Sequence, residues 1–330
     1  MSDSVGVRRI LLVALDNLGD LVFASALTPA LHAHYPEAAI DVWCKQYTAP
    51  IAPLIPHVRA VIAADPFWAA LPGRPRPPML PFVRSVAAVR RNHYDLAVLS
   101  QAPWRCAAAV YAAGIPRRVG FARRHNEQFL SDVVDAEDPG RPVVQEQARL
   151  LAPLGITSTE PRYRLDATHL EGRRRVLATQ LPERFVAFHP FASVRSRCVP
   201  LTEWSQVAFA LESRRIPVLW IGTTAELNEL RFSHTHPKGV YVDQIGDGSL
   251  ASTAAALSLA AAFAGHDSGP LHIAGALGVP VLGVYTPGQP ARTFPQGVGP
   301  SRMIARPAPS DVDAGIMLHE LEELGLFSVA

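Results

Sequence analysis

The stretch Gly265-His266-Asp267-Ser268-Gly269-Pro270-Leu271-His272 decides the fold, because it joins an apolar strand to a helix of small residues. An apolar run of strand length, residues 260–264, comes before it. A second apolar run, residues 279–285, follows the helix, so the unit is predicted as strand, loop, helix, strand. This order is typical of one half of a doubly wound, nucleotide-binding sheet.

The loop in this unit carries groups that bind anions. A helix N-terminus presents backbone N–H groups without intrahelical partners, together with the positive end of the helix dipole. Gly269 permits close approach to the main chain, and Ser268 can cap the helix or donate to a phosphate oxygen. Many such units bind nothing, so the loop alone leaves phosphate binding open.

Composition narrows the class of protein. A chain of 330 residues exceeds the usual size of one domain, and its 48% hydrophobic content supplies large cores. The formal net charge of +2 argues against a nucleic-acid binder. Three scattered cysteines without metal-ligand spacing predict free thiols in a reducing compartment. With no signal peptide or membrane-length apolar run in view, we expect a cytoplasmic protein.

Strands and helices alternate along the chain, and the alternation restarts after a linker at residues 155–167. The N-terminal strand (residues 9–15) leads through a turn at Asn17–Asp20 to a helix predicted over residues 21–34. Such alternation predicts an α/β protein of two Rossmann-like doubly wound domains that face each other across a cleft. Ligands bind at the carboxyl ends of the strands in such sheets, where Asp20 and Asp267 fall.

Two segments together resemble glycosyltransferase family 9, the ADP-heptose:lipopolysaccharide heptosyltransferases. The first is ILLVALDNLGDLV at residues 10–22, and the second runs over residues 265–295. Residues 188–193, 197–204 and 220–226 resemble further family segments between them. The resemblance therefore covers most of the chain and implies the GT-B fold.

The family resemblance implies an inverting, metal-free transferase without a cofactor. Its donor would be ADP-heptose or a related nucleotide sugar, and its acceptor a hydroxyl of a glycan or lipopolysaccharide core. Residues 1–160 would bind the acceptor, residues 161–312 the nucleotide sugar, and a C-terminal helix in residues 313–330 would pack back on the first domain. Peripheral contact with the inner membrane and the oligomeric state stay open.

Two residues are predicted to be catalytic. Asp20 is the candidate general base, since inversion requires the attacking hydroxyl to lose its proton; the alternative is a helix N-cap. Arg197 aligns with a lysine of the family and would neutralise the departing diphosphate. Arg195 could share or take over that task, and the alternative for both is a solvated surface charge.

The resemblance assigns the donor-binding residues. Asp267 would contact the sugar hydroxyls, while Ser268, Gly269 and Leu271 would present main-chain N–H groups to the diphosphate. Ser193 is a further hydroxyl for phosphate.

The nucleoside has its own candidates. Glu226 fits the ribose diol, or is a first-turn acid favoured by its helix dipole. Ile245 and Gly246 would lie against the adenine, and His272 would serve either phosphate contact or helix packing.

The acceptor side is predicted from a cluster of arginines, for which ordinary solvated charges are the alternative: Arg105, Arg117, Arg118 and Arg123. Departures from the family pattern, among them Asp16, indicate a divergent member and leave open whether its donor and acceptor are the standard ones. A small-molecule natural product as acceptor, a nucleotide-sugar epimerase or hydrolase, and a non-catalytic nucleotide binder are the alternatives. A dehydrogenase is disfavoured, because no GxGxxG follows the first strand.

Overall fold

The computed structural model describes residues 6–69, 75–101, 103–157, 160–233, 235 and 237–327. The chain divides into two compact units, Met1–Tyr163 and Arg164–Ala330. Each unit is an α/β layer structure built on its own parallel sheet of six strands.

The first unit has the strand order β3-β2-β1-β4-β5-β6. Its strands are β1 (Arg9–Ala14), β2 (Ala39–Cys44), β3 (Val58–Ala63), β4 (Leu96–Leu99), β5 (Arg117–Phe121) and β6 (Asp132–Val134). Its helices are α1 (Leu18–Ala24), α2 (Thr28–His34), α3 (Met79–Arg91), α4 (Trp104–Ala112) and α5 (Val143–Ala148).

The second unit has the strand order β12-β11-β10-β7-β8-β9. Its strands are β7 (Val186–His189), β8 (Val218–Trp220), β9 (Val240–Tyr241), β10 (Ala262–His266), β11 (Val281–Tyr285) and β12 (Ser301–Ala305). Its helices are α6 (Glu171–Ala178), α7 (Leu201–Ser213), α8 (Thr224–Arg231), α9 (Leu250–Leu257), α10 (Gly269–Ala276), α11 (Pro290–Thr293) and α12 (Ala314–Glu323).

Central strands are buried on both faces, which explains their unbroken apolar sequences. Residues 10–14 of β1 are fully inaccessible to solvent. On one face of the first sheet, Trp43 of β2 stacks on Phe82 of α3 with ring centroids 5.3 Å apart. Each such buried side chain stabilises the fold by about 1.5–3 kcal/mol.

The strand orders determine where a ligand can bind at the edge of each sheet. In the first unit β1 lies between β2 and β4, and in the second unit β7 lies between β8 and β10. The chain therefore winds away from β1 and from β7 in both directions, which makes a switch point between β1 and β4 and another between β7 and β10. Two doubly wound Rossmann-like units, as predicted, are confirmed.

The first helix differs from the prediction. The sequence predicts a single helix over residues 21–34, but α1 begins at Leu18, and a 3-10 turn, Ser25–Leu27, separates it from α2. Asn17 is the N-cap of α1 and forms a capping box with Asp20 at the third helical position. Pro29 stands in the first turn of α2, where its missing N–H costs no hydrogen bond.

The C-terminal helix α12 begins after Asp313, whose side chain accepts from the Ile316 N–H at 2.8 Å. It packs on α7 and β12 of the second unit. The Ala314 N–H donates to Glu203 at 3.0 Å, and Arg214 pairs with Glu322 at 2.9 Å. Of the helices in the described ranges, none has both the length and the apolar character needed to cross a membrane.

Candidate functional site

Asp267 lies directly after β10, at the switch point beside β7. Its Oδ1 is 3.2 Å from Nε2 of His272, and its Oδ2 accepts from the Thr293 hydroxyl at 2.8 Å. The His272 ring is buried in α10, so it both packs in the helix and fixes the carboxylate. Asp267 itself keeps 32% of its side-chain surface exposed, and is therefore an oriented acceptor open to ligand hydroxyls.

Helix α10 starts at Gly269 with Ser268 as N-cap, yet the Ser268 side chain does not cap the helix. The hydroxyl donates back to the His266 carbonyl at 3.0 Å and lies 3.0 Å from Nδ1 of His189. Pro270 has no N–H, and the first-turn N–H groups of Gly269 and Leu271 have no intrahelical acceptor. The start of α10 can therefore donate to an anion.

Glu226 lies in the first turn of α8, after β8. Its Oε2 accepts from the N–H and the hydroxyl of Thr223, at 2.8 and 2.9 Å, which completes a capping box. Burial acts to raise the pKa of this carboxyl, but the His189 ring and the Thr223 donors outweigh it and lower the pKa to about 2. Glu226 is thus ionised at neutral pH and serves the helix that carries it.

His189 is a residue of this site that the sequence did not predict. It ends β7 and is 7% exposed. Nδ1 lies 3.0 Å from the Ser268 hydroxyl, and Nε2 lies 3.9 Å from Oε2 of Glu226. The imidazole therefore connects the predicted phosphate loop to the predicted ribose acid. The signal that could have found it is its place as the last residue of a buried strand at a switch point.

The segment 191–199 carries both candidate arginines in a 3-10 turn, Arg195–Arg197. Arg195 pairs with Glu229 at 2.8 Å and lies over the Phe191 ring at 4.7 Å. Arg197 is exposed, and its guanidinium makes no hydrogen bond or ion pair with any residue in the described ranges. The guanidinium of Arg197 is therefore the one of the two whose charge is not already paired with an acid in the described ranges.

Two side chains anchor this segment to the second sheet. The Thr286 hydroxyl donates to the Arg197 carbonyl at 2.6 Å. Nε2 of His266 accepts from the Val199 N–H at 3.0 Å, while Nδ1 faces the Val284 carbonyl at 3.2 Å. Burial lowers the pKa of His266 to about 4, so the ring is neutral, as an accepting Nε2 requires.

The remaining donor candidates have different surroundings. Ser193 is exposed in the same segment as Arg197. Ile245 is buried, and Gly246 adopts the left-handed φ of +62° and donates its N–H to Gln180 at 3.0 Å. Gly246 also borders a surface pocket of about 280 Å³ beside Arg173. The contacts of Gly246 are thus with α6 and with Gln180 just after it, and the structure does not join them to those of Asp267.

In the first unit, Asp20 lies at the switch point beside β1. Its Oδ2 accepts from the Asn17 N–H at 3.2 Å. Burial, reinforced by the charge of Asp16, raises the pKa of Asp20 from 3.8 to about 6. The positive charge of Lys45, whose Nζ is 3.9 Å from Oδ1 of Asp16, lowers the pKa of Asp20 and offsets part of this rise. The carboxyl is therefore a stronger base than an ordinary aspartate and is still ionised at neutral pH.

Two of the four acceptor arginines lie at the same edge of the first sheet as Asp20. Arg123 follows β5 and donates to Gln101 at 2.8 Å and Glu137 at 2.6 Å. Arg105 is exposed in the first turn of α4, with its guanidinium 4.7 Å from the Trp104 ring centroid.

The other two arginines lie at the start of β5, which is the opposite edge of the sheet. Arg117 pairs with Asp132 at 3.2 Å and donates to the Pro153 carbonyl at 2.6 Å. Arg118 donates to backbone carbonyls, among them that of Phe129 at 2.7 Å. Both guanidinium groups hold neighbouring chain segments, and the structure does not bring them to Asp20.

Across the described ranges, no three His, Cys, Asp or Glu side chains gather in a way that could hold a metal ion.

The chain is similar in sequence to known proteins. A family model for glycosyltransferase family 9 (heptosyltransferase) matches residues 83–308. Lipopolysaccharide heptosyltransferase 3 of Escherichia coli (strain K12) is 27% identical over 282 residues, which are 81% of this chain and 79% of that protein.

Two solved structures are similar in fold. The glycosyl transferase family 9 protein of Veillonella parvula has a TM-score of 0.83 and 16% identity, and 99% of each chain is covered. The ADP-heptose LPS heptosyltransferase II of E. coli has a TM-score of 0.78 and 21% identity, with 96% of this chain and 98% of that chain covered. The likeness confirms the predicted fold class.

Proposed function

The chain belongs to glycosyltransferase family 9, the heptosyltransferases, and on that premise we propose that it transfers a heptose from ADP-heptose to a hydroxyl of a lipopolysaccharide-core acceptor. The transfer inverts the anomeric carbon and uses neither metal nor cofactor. The relatives named above support the donor and acceptor classes, because their names state them.

One observation carries the proposal: the oriented Asp267 carboxylate stands beside the uncapped start of α10. The carboxylate accepts hydrogen bonds from sugar hydroxyls, while the N–H groups of Ser268, Gly269 and Leu271 donate to the diphosphate. This pairing suits a nucleotide sugar, which presents hydroxyls and phosphates side by side.

Other donor contacts follow from the second unit. Oε2 of Glu226 takes the Thr223 hydrogen bonds, and we assign Oε1 to the ribose hydroxyls. Arg197 neutralises the charge that develops on the leaving ADP, with the Ser193 hydroxyl as a further phosphate donor. Arg195 keeps Glu229 as its partner. Ile245 and Gly246 stay candidates for the adenine.

Asp20 is the general base. A carboxyl with a pKa of about 6 is ionised at neutral pH and accepts a proton more readily than an ordinary aspartate does. It removes the proton of the acceptor hydroxyl as that oxygen attacks the anomeric carbon and the bond to the diphosphate breaks. No covalent intermediate is needed for one inverting displacement.

The acceptor is assigned to the first unit, where Arg105 and, after release from Glu137, Arg123 would contact anionic groups of a sugar core. We exclude Arg117 and Arg118 from this role, since both serve the start of β5. We also propose that the protein works in the cytoplasm. Its free cysteines support a reducing compartment.

The test is to incubate the purified chain with ADP-heptose, with and without a lipopolysaccharide-core acceptor. ADP release is followed together with the product mass and its anomeric configuration. Acceptor-dependent ADP release, an inverted product and full activity after treatment with a chelator are expected. Conversion of the donor without acceptor would instead indicate an epimerase or hydrolase.

The Asp20→Ala variant tests the general base. It should abolish transfer and leave ADP binding unchanged, because Asp20 belongs to the first unit and the donor contacts to the second.

A further inference from the structure

His189 ends β7, and the neighbouring strand fixes its backbone. It pairs with Gly265 of β10, where the Cβ of any other residue would lie 2.9 Å from the His189 carbonyl oxygen. Glycine thus allows the two strand ends to approach closely. The imidazole packs edge-on against the buried Phe191 ring, with ring centroids 6.0 Å apart. The ring therefore extends from a rigid part of the second unit.

The two nitrogens of this ring face the starts of two helices. Nδ1 lies 3.0 Å from the Ser268 hydroxyl at the start of α10, and Nε2 lies 3.9 Å from Oε2 of Glu226 in the first turn of α8. The side chains of His189 and Glu226 keep 9% and 20% of their surfaces exposed, so both border solvent. One imidazole therefore lies between the two sets of groups that we assign to the donor.

Each nitrogen can hold the group that it faces. Burial raises the pKa of Glu226, and the His189 ring is one of the groups that lower it, as an N–H directed at a carboxylate does. The Ser268 hydroxyl has one proton and two neighbouring acceptors, Nδ1 and the His266 carbonyl. Nδ1 holds Ser268 in either case, as the acceptor of this proton or, in a doubly protonated ring, as a donor to the hydroxyl oxygen.

Neither contact is needed by the helix on the other side of it. Glu226 completes the capping box of α8 with Thr223, independently of the imidazole. The Ser268 side chain does not cap α10. The two contacts of the ring therefore serve the alignment of the two helix starts with each other, and not the formation of either helix.

We propose that His189 is a positioning residue of the donor site, which holds the start of α10 and the first turn of α8 where one nucleotide reaches both. The ring does not touch the reacting atoms. It acts through Ser268, whose backbone N–H is assigned to the diphosphate, and through Glu226, whose Oε1 is assigned to the ribose. This inference rests on the proposed nucleotide-sugar donor and deepens it, because one side chain then couples diphosphate recognition to ribose recognition.

The experiment separates the two nitrogens by substitution. Asparagine carries its amide at the place of Nδ1, whereas the longer glutamine carries it at the place of Nε2. Calorimetric titration measures the binding of ADP, AMP and 2′-deoxy-ADP to the wild type and to each variant. The ratio of ADP to AMP affinity reports the contacts of the β-phosphate, and the ratio of ADP to 2′-deoxy-ADP affinity reports those of a ribose hydroxyl.

The two variants should show opposite patterns. In His189→Asn the ADP to AMP ratio should keep its wild-type value, while the ADP to 2′-deoxy-ADP ratio falls by about threefold or more. In His189→Gln the first ratio should fall by a similar factor and the second should be kept. His189→Leu fills similar space without polar atoms, so it should lower both ratios.

The matched control is His319→Asn, the same substitution at an exposed position of α12 in the same unit. It should leave both ratios unchanged. Circular dichroism and thermal unfolding establish that every variant is folded.

Wild-type ratios in His189→Leu would mean that the ring only fills space, and the same losses in the Asn and Gln variants would mean that it supports the fold as a whole. Either result would overturn the inference and leave the proposed function standing, because ADP still binds. A wild type that does not bind ADP would overturn both. Opposite patterns without any sugar transfer would support the inference alone, since binding of these nucleotides needs no acceptor.

Discussion

Asp20 has two tasks that one carboxylate must combine. It accepts from the Asn17 N–H at the start of α1, and it is the proposed base. Burial and Asp16 hold its pKa at about 6, so ionising it above that pH costs stability. A carboxyl group whose ionised form lowers the stability of the fold, yet is the form needed for catalysis, is a common sign of a functional site.

Asp20→Asn should separate these tasks. The amide oxygen can still accept from Asn17, but it cannot act as a base, so transfer should fall by at least about 100-fold. In the wild type, kcat should decline as the pH drops below about 6, where the carboxyl takes up a proton. Rates measured across pH 4.5–8.5 check this, and an unaltered rate in the variant would remove Asp20 from the mechanism.

The same variant should be more stable than the wild type at pH 8. The folded protein holds the Asp20 proton up to about pH 6 and the unfolded chain only to about 3.8, so wild-type stability falls as the pH rises through that window. Asparagine avoids this loss, which is about 1–3 kcal/mol. Urea unfolding should show the gain at pH 8 and its disappearance near pH 4.

Arg197 and Arg195 should differ in their effect on nucleotide binding. Arg197→Ala should weaken ADP binding by about tenfold or more, since it removes the guanidinium assigned to the diphosphate. Arg195→Ala should change it by less than about threefold, because Arg195 is already paired with Glu229. Isothermal titration calorimetry measures both, and the reverse order would transfer the role to Arg195.

The sequence predicted single residues best where they directly follow an apolar strand, because the end of the strand then determines where they lie. Asp267 and Ser268 were placed at a strand end by the apolar run before them, and the structure has them there. His189 gave no such signal, because its contacts with Ser268 and Glu226 join residues far apart in sequence. Arg117 and Arg118 looked like an acceptor cluster because sequence does not reveal that Asp132 and backbone carbonyls engage them.

At the scale of elements, the 191–199 segment has little regular structure of its own beyond one 3-10 turn. It is held by two contacts from the strand ends of the sheet: Thr286 to the Arg197 carbonyl, and His266 to the Val199 N–H. The side chains that orient Arg197 are therefore outside the segment itself.

Thr286→Val tests this dependence. Valine fills the same space but cannot donate to the Arg197 carbonyl, so the fold should lose about 1 kcal/mol of stability and ADP binding should weaken several-fold. In an Arg197→Ala background the same change should cost no further affinity. Calorimetric titration of the four proteins of this cycle measures the coupling, and additive losses would mean that Thr286 does not act through Arg197.

Boundaries of elements followed the sequence less well than their order did. The turn predicted at Asn17–Asp20 is the beginning of α1, because the capping box allows the helix to start at Leu18. Strand β10 continues through Gly265 and His266, since its pairing with β7 extends to Gly265 and its pairing with β11 extends to His266. Pairing partners and caps are tertiary or reciprocal contacts, which an apolar run cannot reveal.

At the scale of the molecule, the donor contacts that we propose belong to the second unit alone. ADP should therefore stabilise that unit and leave the first unaffected. Differential scanning calorimetry with ADP at 100 times its dissociation constant should show a stabilisation of about 2.7 kcal/mol. If the units unfold separately, only the transition of the second should move. Equal movement of both would contradict a donor site confined to one unit.

The overall architecture was the part that sequence predicted most fully. Apolar strands alternating with helices predict parallel sheets, and a break followed by a restart predicts two of them. The two six-stranded sheets confirm this. Which strands lie side by side was not predicted, because the order β3-β2-β1-β4-β5-β6 depends on which faces of the sheet the crossover helices cover.

Asp20 and Glu226, the acids proposed to touch the two substrates, each complete the capping box of a helix. Selection for expression or heat resistance alone would therefore retain Glu226, because the side chain stabilises the start of α8. At low pH, where Asp20 is protonated without cost, the same selection would retain Asp20 as well. Survival of these acids in an evolved variant is no proof that turnover has survived. Screens of this scaffold need a catalytic readout from the first round.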